Sequence, residues 1–270
     1  MGSVPRRHDR AITPDTLPRQ KLVHPTRGME TRVPANEGAH GPLRVVGVVG
    51  PDGSGKSTLT NDLLIHLQQR QVTERQYLGL ISGEVGEKVK KIPLLGPIIE
   101  RRFATKARKV QNVKNKLPGL FTAIVMYLFS LWRVAKVRHM IRTSESGVLV
   151  LADRFPQADV PGFDYDGPGL IADRSPNRLV RWLAAREHKL YEWMADQKPA
   201  LIIRLNVDAE TAFRRKPDHP IAELRDKSET MPRIHYNGAN VCDIDSRLPY
   251  PQVLEAALQA ITVTLGQMPV

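Results

Sequence analysis

Apolar positions along the chain fall into two rhythms, and the changes between them mark the elements. Leu43-Arg44-Val45-Val46-Gly47-Val48-Val49 is a short, β-branched run that reads as a buried strand. After a glycine-rich break, Leu59, Leu63, Leu64 and Leu67 recur at helical spacing. Arg75 to Ser82, with Tyr77, Leu78, Leu80 and Ile81, predicts a second strand. Gly147 to Ala152, Ala200 to Val207 and a short piece around Asn240 to Ile244 predict the later ones. Helices fall between them. The uncharged run from Leu117 to Trp132 predicts a core helix from about Phe121 to Arg142. Leu179, Trp182, Leu183, Leu190, Trp193 and Met194 predict one from about Pro176 to Ala195, with its aromatics packed inward. Asp208 caps a short helix carrying Arg214, Arg215 and Lys216. Val253, Leu254, Ala257, Leu258 and Ile261 place the last helix at Pro251 to Leu265. Strands alternating with helices indicate an α/β fold.

The remaining stretches lack either rhythm. Residues 1–42 are Pro- and Arg-rich, with Pro5, Pro14, Pro18, Pro25, Pro34 and Pro42 breaking any regular element, and predict a disordered basic tail. No apolar stretch in it matches a secretory signal, and Met29 within it is a candidate start. Residues 43–270 form the folded domain. Residues 156–178 are a loop of turn signals long enough for a lid or binding loop. Pro217 to Pro232 is polar and reads as a mobile lid, in which Arg225 and Lys227 could gather charge on a transferring phosphoryl group.

Composition changes the picture in one respect. The 270 residues carry a net charge of +12, which calls for an anionic partner: phosphorylated substrates, nucleic acid or a membrane surface. Nucleic acid is not the expected one, because Asp9, Asp15, Glu30 and Glu37 dilute the basic tail. From Lys88 to Lys116 there are ten basic residues against one acid, Glu100, directly before the 16-residue apolar run. That run is short of the roughly 20 residues that span a bilayer, so residues 88–132 suggest peripheral contact with an anionic membrane as the alternative to a core helix. The single Cys242 excludes an internal disulfide, reads as a buried, inert thiol and fits a reducing cytosol. The expected location is therefore the cytoplasm, with the inner membrane surface as its alternative; a homodimer is an admissible assembly. The eight histidines show no ligand spacing.

The candidate chemistry sits at two strand ends. Gly50-Pro51-Asp52-Gly53-Ser54-Gly55-Lys56-Ser57-Thr58 fits the phosphate-binding pattern G-x-x-x-x-G-K-[ST], between a strand and a helix as that motif requires. Its glycines let the backbone curl round an anion, and its N–H groups form a nest at a helix start. Lys56 would neutralise the β- and γ-phosphates of ATP, and the Ser57 hydroxyl would hold Mg²⁺. Asp153 and Arg154, in Ala152-Asp153-Arg154-Phe155, come at the C-terminal edge of a second strand. There a carboxylate can orient Mg²⁺ or accept a proton, and a guanidinium can hold a phosphate. A guanine-specific switch would need N-K-x-D, which Asn115-Lys116-Leu117-Pro118 does not supply.

The order of these features resembles thymidylate kinases, over about residues 43–265. The phosphate loop is similar to their E-G-x-D-G-x-G-K-[ST], without the Glu. Asp153-Arg154-Phe155 looks like their D-R-[YFH], and Leu205 to Arg215 like their L-x-V-x-x-E-x-A-x-x-R. Ile244-Asp245-Ser246-Arg247 resembles the I-D-A segment near the adenine pocket. The resemblance implies a P-loop NTPase fold in three layers, a five-stranded, mostly parallel sheet flanked by helices. It implies ATP–Mg²⁺ as donor and a nucleoside monophosphate as small-molecule acceptor. Carried over, Lys56 and Ser57 meet phosphate and metal, Asp153 sits by the metal, Arg154 faces the acceptor, and Arg214 or Arg215 approaches the transferring group. The chain departs from the family after the second strand. Ser82-Gly83-Glu84-Val85-Gly86-Glu87 stands where thymidylate kinases carry R-E-P-G-G-T, which helps bind the acceptor. A nucleoside, sugar or lipid-linked acceptor, as in the thymidylate kinase-like proteins of surface-polysaccharide gene clusters, is the alternative. A nucleotide switch without catalysis is the other.

Overall fold

The computed structural model describes residues 43–80, 119–170 and 175–266. The expected tail at 1–42, the end of the second predicted strand at Ile81 and Ser82, the Ser82–Glu87 segment and the basic region Lys88–Lys116 lie outside the described residues.

The elements are β1 (Leu43–Val49), α1 (Lys56–Gln68), β2 (Thr73–Tyr77), α2 (Leu120–Glu145), β3 (Leu149–Asp153), α3 (Arg178–Ala195), β4 (Pro199–Asn206), α4 (Ala209–Arg215), α5 (Ile221–Thr230), β5 (Val241–Asp245) and α6 (Tyr250–Gly266). The five strands make one sheet in the order β2-β3-β1-β4-β5, parallel at every pairing. Parallel strands need crossovers, and helices on both faces bury them. Val46, Val48, Leu149, Leu151, Leu201 and Ile203 point to one face, against Leu59 and Leu63 of α1 and Val253 and Ala257 of α6. Val45, Val49, Val150, Ala152 and Ile202 point to the other, against Val134 and Val137 of α2 and Tyr191 and Met194 of α3. Alternation along each strand thus produces the three layers.

Some expectations need correction. β2 begins two residues earlier and ends at Tyr77, because its ladder partner β3 ends opposite at Asp153. Leu78 is buried just beyond the ladder, and Leu80 follows in a bend. On α3 the inward face is Val180, Leu183, Glu187, Tyr191 and Met194. Leu179 and Trp182, expected in the core, are 46% and 50% exposed. The loop after β3 is pinned from inside. Gln157, fully buried, donates to Val160 O (2.7 Å) and Tyr165 O (3.0 Å), while Glu187 accepts from Leu170 N (2.6 Å). That wiring does not suit a moving lid over the described part of the loop. Cys242 is half-buried on the edge strand β5; burial, then Asp243, pushes its thiol pKa up, away from the reactive thiolate.

Candidate functional site

The sheet order changes direction between β1 and β3, and in open α/β sheets ligands bind outside the strand ends at such a point. Val48 of β1 lies level with Asp153 of β3, so the two sequence motifs leave the sheet side by side.

The loop after β1 has the shape of an anion cradle. Gly50 and Gly53 adopt φ of 150° and 81°. A Cβ on Gly50 would lie 2.6 Å from Leu205 O, and one on Gly53 would lie 2.7 Å from Ala212 O. No other residue suits either place. Gly55 caps α1 without a side-chain bond, so the first-turn amides have no side-chain acceptor and suit an anion. The Ser54 hydroxyl is buried with no hydrogen-bond partner, as expected of a donor awaiting a phosphate oxygen. Lys56 Nζ donates to Pro51 O (2.7 Å) across the loop. Burial and then nearby Arg154 lower its pKa to about 8, although Asp52 pulls the other way. Ser57 and Thr58 are exposed in the first turn.

Two cations meet the single carboxylate of the loop. Lys227 of α5 donates to Asp52 Oδ2 at 2.5 Å and is 7% exposed; Arg154 stands 3.9 Å from Asp52 Oδ1. Burial alone would raise the Asp52 pKa. Lys227, Lys56 and Arg154 outweigh it and hold the carboxyl well below the usual range. Of the two expected lid residues, Lys227 is the one brought to the loop. Leu224 seats α5 on Ala209 and Ala212 of α4, which aims Lys227 at the loop. Arg225 points elsewhere: it pairs with Glu210 of α4 at 3.1 Å in solvent. Arg215 of α4 donates to Gly53 O (3.3 Å) and Ser246 O (2.8 Å), tying the loop to the segment after β5. Arg214 bonds Thr211 of its own helix (2.8 Å) and is exposed.

At the end of β3, Asp153 is 4% exposed and accepts from Arg75 of β2 at 2.5 Å. Arg154 takes a left-handed φ of 70°, its N–H bonded to Val48 O (3.0 Å), and Phe155 after it is buried against Gly47. The turn aims the Arg154 guanidinium at Asp52 and at Asp166 (3.7 Å). Burial disfavours its charge, but Asp166, Tyr77 and Asp52 raise its pKa and keep it cationic. Asp166 is held in turn by Arg133 of α2 (2.9 Å), fully buried with its guanidinium 5.7 Å from the Tyr191 ring. Sequence reasoning missed Arg133, Asp166 and Arg75. Arg133 carried a signal, a lone charge at a core position of an otherwise apolar helix. Asp166 read only as part of a turn.

Magnesium travels with ATP and is held through one or two carboxylates and the phosphates themselves. The Ser57 hydroxyl and the Asp153 carboxylate are donors of that kind, with one Asp153 oxygen shared with Arg75. Among the described residues no group of three or more His, Cys, Asp or Glu could hold an ion alone, so the donor set fits a phosphate-borne one.

No protein-family model matches the chain. It is 53% identical to the uncharacterized ATP-binding protein YghR of Escherichia coli K12 over 219 residues, 81% of this chain and 87% of that one. It is 45% identical to the uncharacterized ATP-binding protein YghS of the same strain over 225 residues, 83% of this chain and 95% of that one. A partial likeness, 32% over 142 residues, covers 48% of the chain and 51% of the zinc import ATP-binding protein ZnuC of Paracoccus denitrificans. A glycine cradle with its lysine, on a parallel sheet, shared at this level with proteins named for binding ATP, has one reading: the chain is a P-loop nucleotide-binding protein and belongs to the family of YghR and YghS.

Proposed function

We propose that the protein is a cytoplasmic, ATP-dependent phosphotransferase of the thymidylate kinase type, with a nucleoside monophosphate as acceptor. The observation that carries this reading is the side-by-side exit of Lys56 and of Asp153-Arg154 from neighbouring strands, with Lys227 added from α5. A protein that only bound ATP would need the cradle. It would not need a second cation-and-carboxylate pair beside it.

In this reading the triphosphate lies in the Gly50–Thr58 loop, and Lys56 leaves Pro51 O for the β- and γ-oxygens. Ser57 and Asp153 would hold Mg²⁺, which would supply charge neutralisation on those oxygens when bound. Arg154 holds the acceptor phosphate, and one of its oxygens attacks the γ-phosphorus in line. The bond from that phosphorus to the β–γ bridging oxygen breaks, and ADP leaves. The attacking oxygen is already anionic, so no proton has to be removed and Asp153 serves the metal. Lys227, freed from Asp52, follows the charge onto the leaving oxygen.

The test is ADP formation by the purified chain with ATP–Mg²⁺ against nucleoside monophosphates, nucleosides and sugars, with products identified by mass. ADP should appear with a nucleoside monophosphate, and Arg154→Ala should raise that acceptor's KM while Asp153→Asn lowers kcat. Phosphate found on a nucleoside or sugar would replace the acceptor and make Asp153 the general base. ATP binding without turnover would leave a switch.

A further inference from the structure

Helix α2 has two faces of opposite chemistry, and the core covers only one. The inner face holds Ala123, Met126, Val134 and Val137, and buries Ser130 on Glu187 (2.6 Å) and Arg133 on Asp166. The outer face exposes Leu120, Phe121, Ile124, Leu128, Leu131 and Trp132, each between 37% and 57%. Spaced three or four apart, these make one stripe roughly 20 Å long at 1.5 Å per residue. Contiguous apolar patches of this kind mark interaction sites. By length and composition α2 could cross a membrane. Its inner face, packed on the sheet through Val134 and Val137 and tied to the loop after β3 by a buried ion pair, means that it can lie on a bilayer and not pass through one.

Charge decides what covers the stripe. The same face continues past Trp132 to exposed Arg138 and Arg142. At the other end, Val180 and Leu183 of α3 pack with Ala123 and Met126. There α3 exposes Leu179 and Trp182, with Arg178 beside them and Arg186 over the Trp182 ring (5.3 Å). In sequence, residues 88–116 before the helix add ten Lys or Arg against one Glu. A second copy would set these charges against themselves, in a chain of net charge +12. An anionic lipid surface accepts both features, the stripe at the acyl boundary and the arginines among headgroups.

We propose that the outer face of α2, with Leu179 and Trp182, docks on anionic membranes. The docked face ends at the nucleotide site. Lys136, over the Trp132 ring (3.8 Å), donates to Gly79 O (2.8 Å) just past β2, whose last residue Tyr77 pairs with Asp153. The protein would thus present its strand ends at the lipid surface, whatever the acceptor is. The docking does not rest on the phosphotransferase reading.

The full chain is sedimented with phosphatidylcholine vesicles, with and without phosphatidylglycerol, at low and high salt. Binding is expected with phosphatidylglycerol, weakened by salt and at least about tenfold lower on neutral vesicles. Phe121→Ser with Leu128→Ser should lower the partition about tenfold or more, because two side chains lose their burial. Arg138→Glu with Arg142→Glu should weaken anionic binding alone, and circular dichroism of both variants should match the parent. Equal sedimentation of parent and both variants overturns the proposal, as does equal binding to neutral vesicles. A dimer that the serine variant splits, without vesicle binding, assigns the face to a second copy and overturns it too. ATP binding in the same samples reports on the nucleotide site separately, so either reading can fail alone.

Discussion

The phosphate loop and the end of β3 both hold charge at the same edge of the sheet, but they find its partners in different ways. In the loop, Lys56 bonds the carbonyl of Pro51, five residues away. The cradle is set by glycine backbone and the first turn of α1. At the end of β3, Asp153 depends on Arg75, 78 residues upstream, and Arg154 depends on Asp166, which depends on Arg133 of α2. A local device loses its ligand when damaged. A device assembled from distant elements loses part of the fold.

That contrast can be broken experimentally, most strongly at Asp166. Asp166→Ala leaves Arg133 buried without its carboxylate and should cost about 3–5 kcal/mol of stability in a urea titration. A loss below about 1 kcal/mol would show that the ion pair does not hold this end together. Lys56→Ala should do the reverse: ATP affinity falls about a hundredfold in calorimetry, roughly 3 kcal/mol, while the unfolding midpoint barely moves. Lost stability there would erase the distinction.

A finer test uses pH. The Lys56 pKa stands at about 8, and the triphosphate selects the protonated ammonium. Below pH 8 the free loop already carries that proton, so affinity should be flat; above it, binding must take a proton up, and Kd should weaken by about tenfold per pH unit. Lys56→Arg should flatten the profile. The smallest effect is expected at Arg225, whose pairing with Glu210 lies in solvent. Arg225→Ala should change stability by about 0.5 kcal/mol or less and leave ATP affinity unchanged. A large loss of affinity would bring Arg225 back to the site.

The same contrast explains what the amino-acid sequence discloses. The strands, α1 and the cradle are written in contiguous residues, and the parallel sheet follows from their alternation with helices. Lys227 is legible as a lid cation, yet its partner Asp52 lies 175 residues away and nothing local pairs them. Asp166 sits in Asp166-Gly167-Pro168, whose turn chemistry masks its ion pairs. On α3, Leu179 and Trp182 share helical spacing with the true core. The decisive residue is Glu187, a charge buried by bonds to Ser130 and Leu170 that no periodicity reveals.

The left-handed corner at Arg154 has a thermodynamic consequence. A long cationic side chain on a regular strand samples a wide volume, and capturing an anion freezes it. Here the backbone on one side is bonded to Val48, and on the other Phe155 is wedged over a glycine, 3.5 Å from where a Cβ on Gly47 would lie. Carboxylates at 3.7 Å and 3.9 Å narrow the freedom of the head. Much of the entropy is therefore lost during folding, before any ligand arrives, and an incoming anion meets a group already ordered.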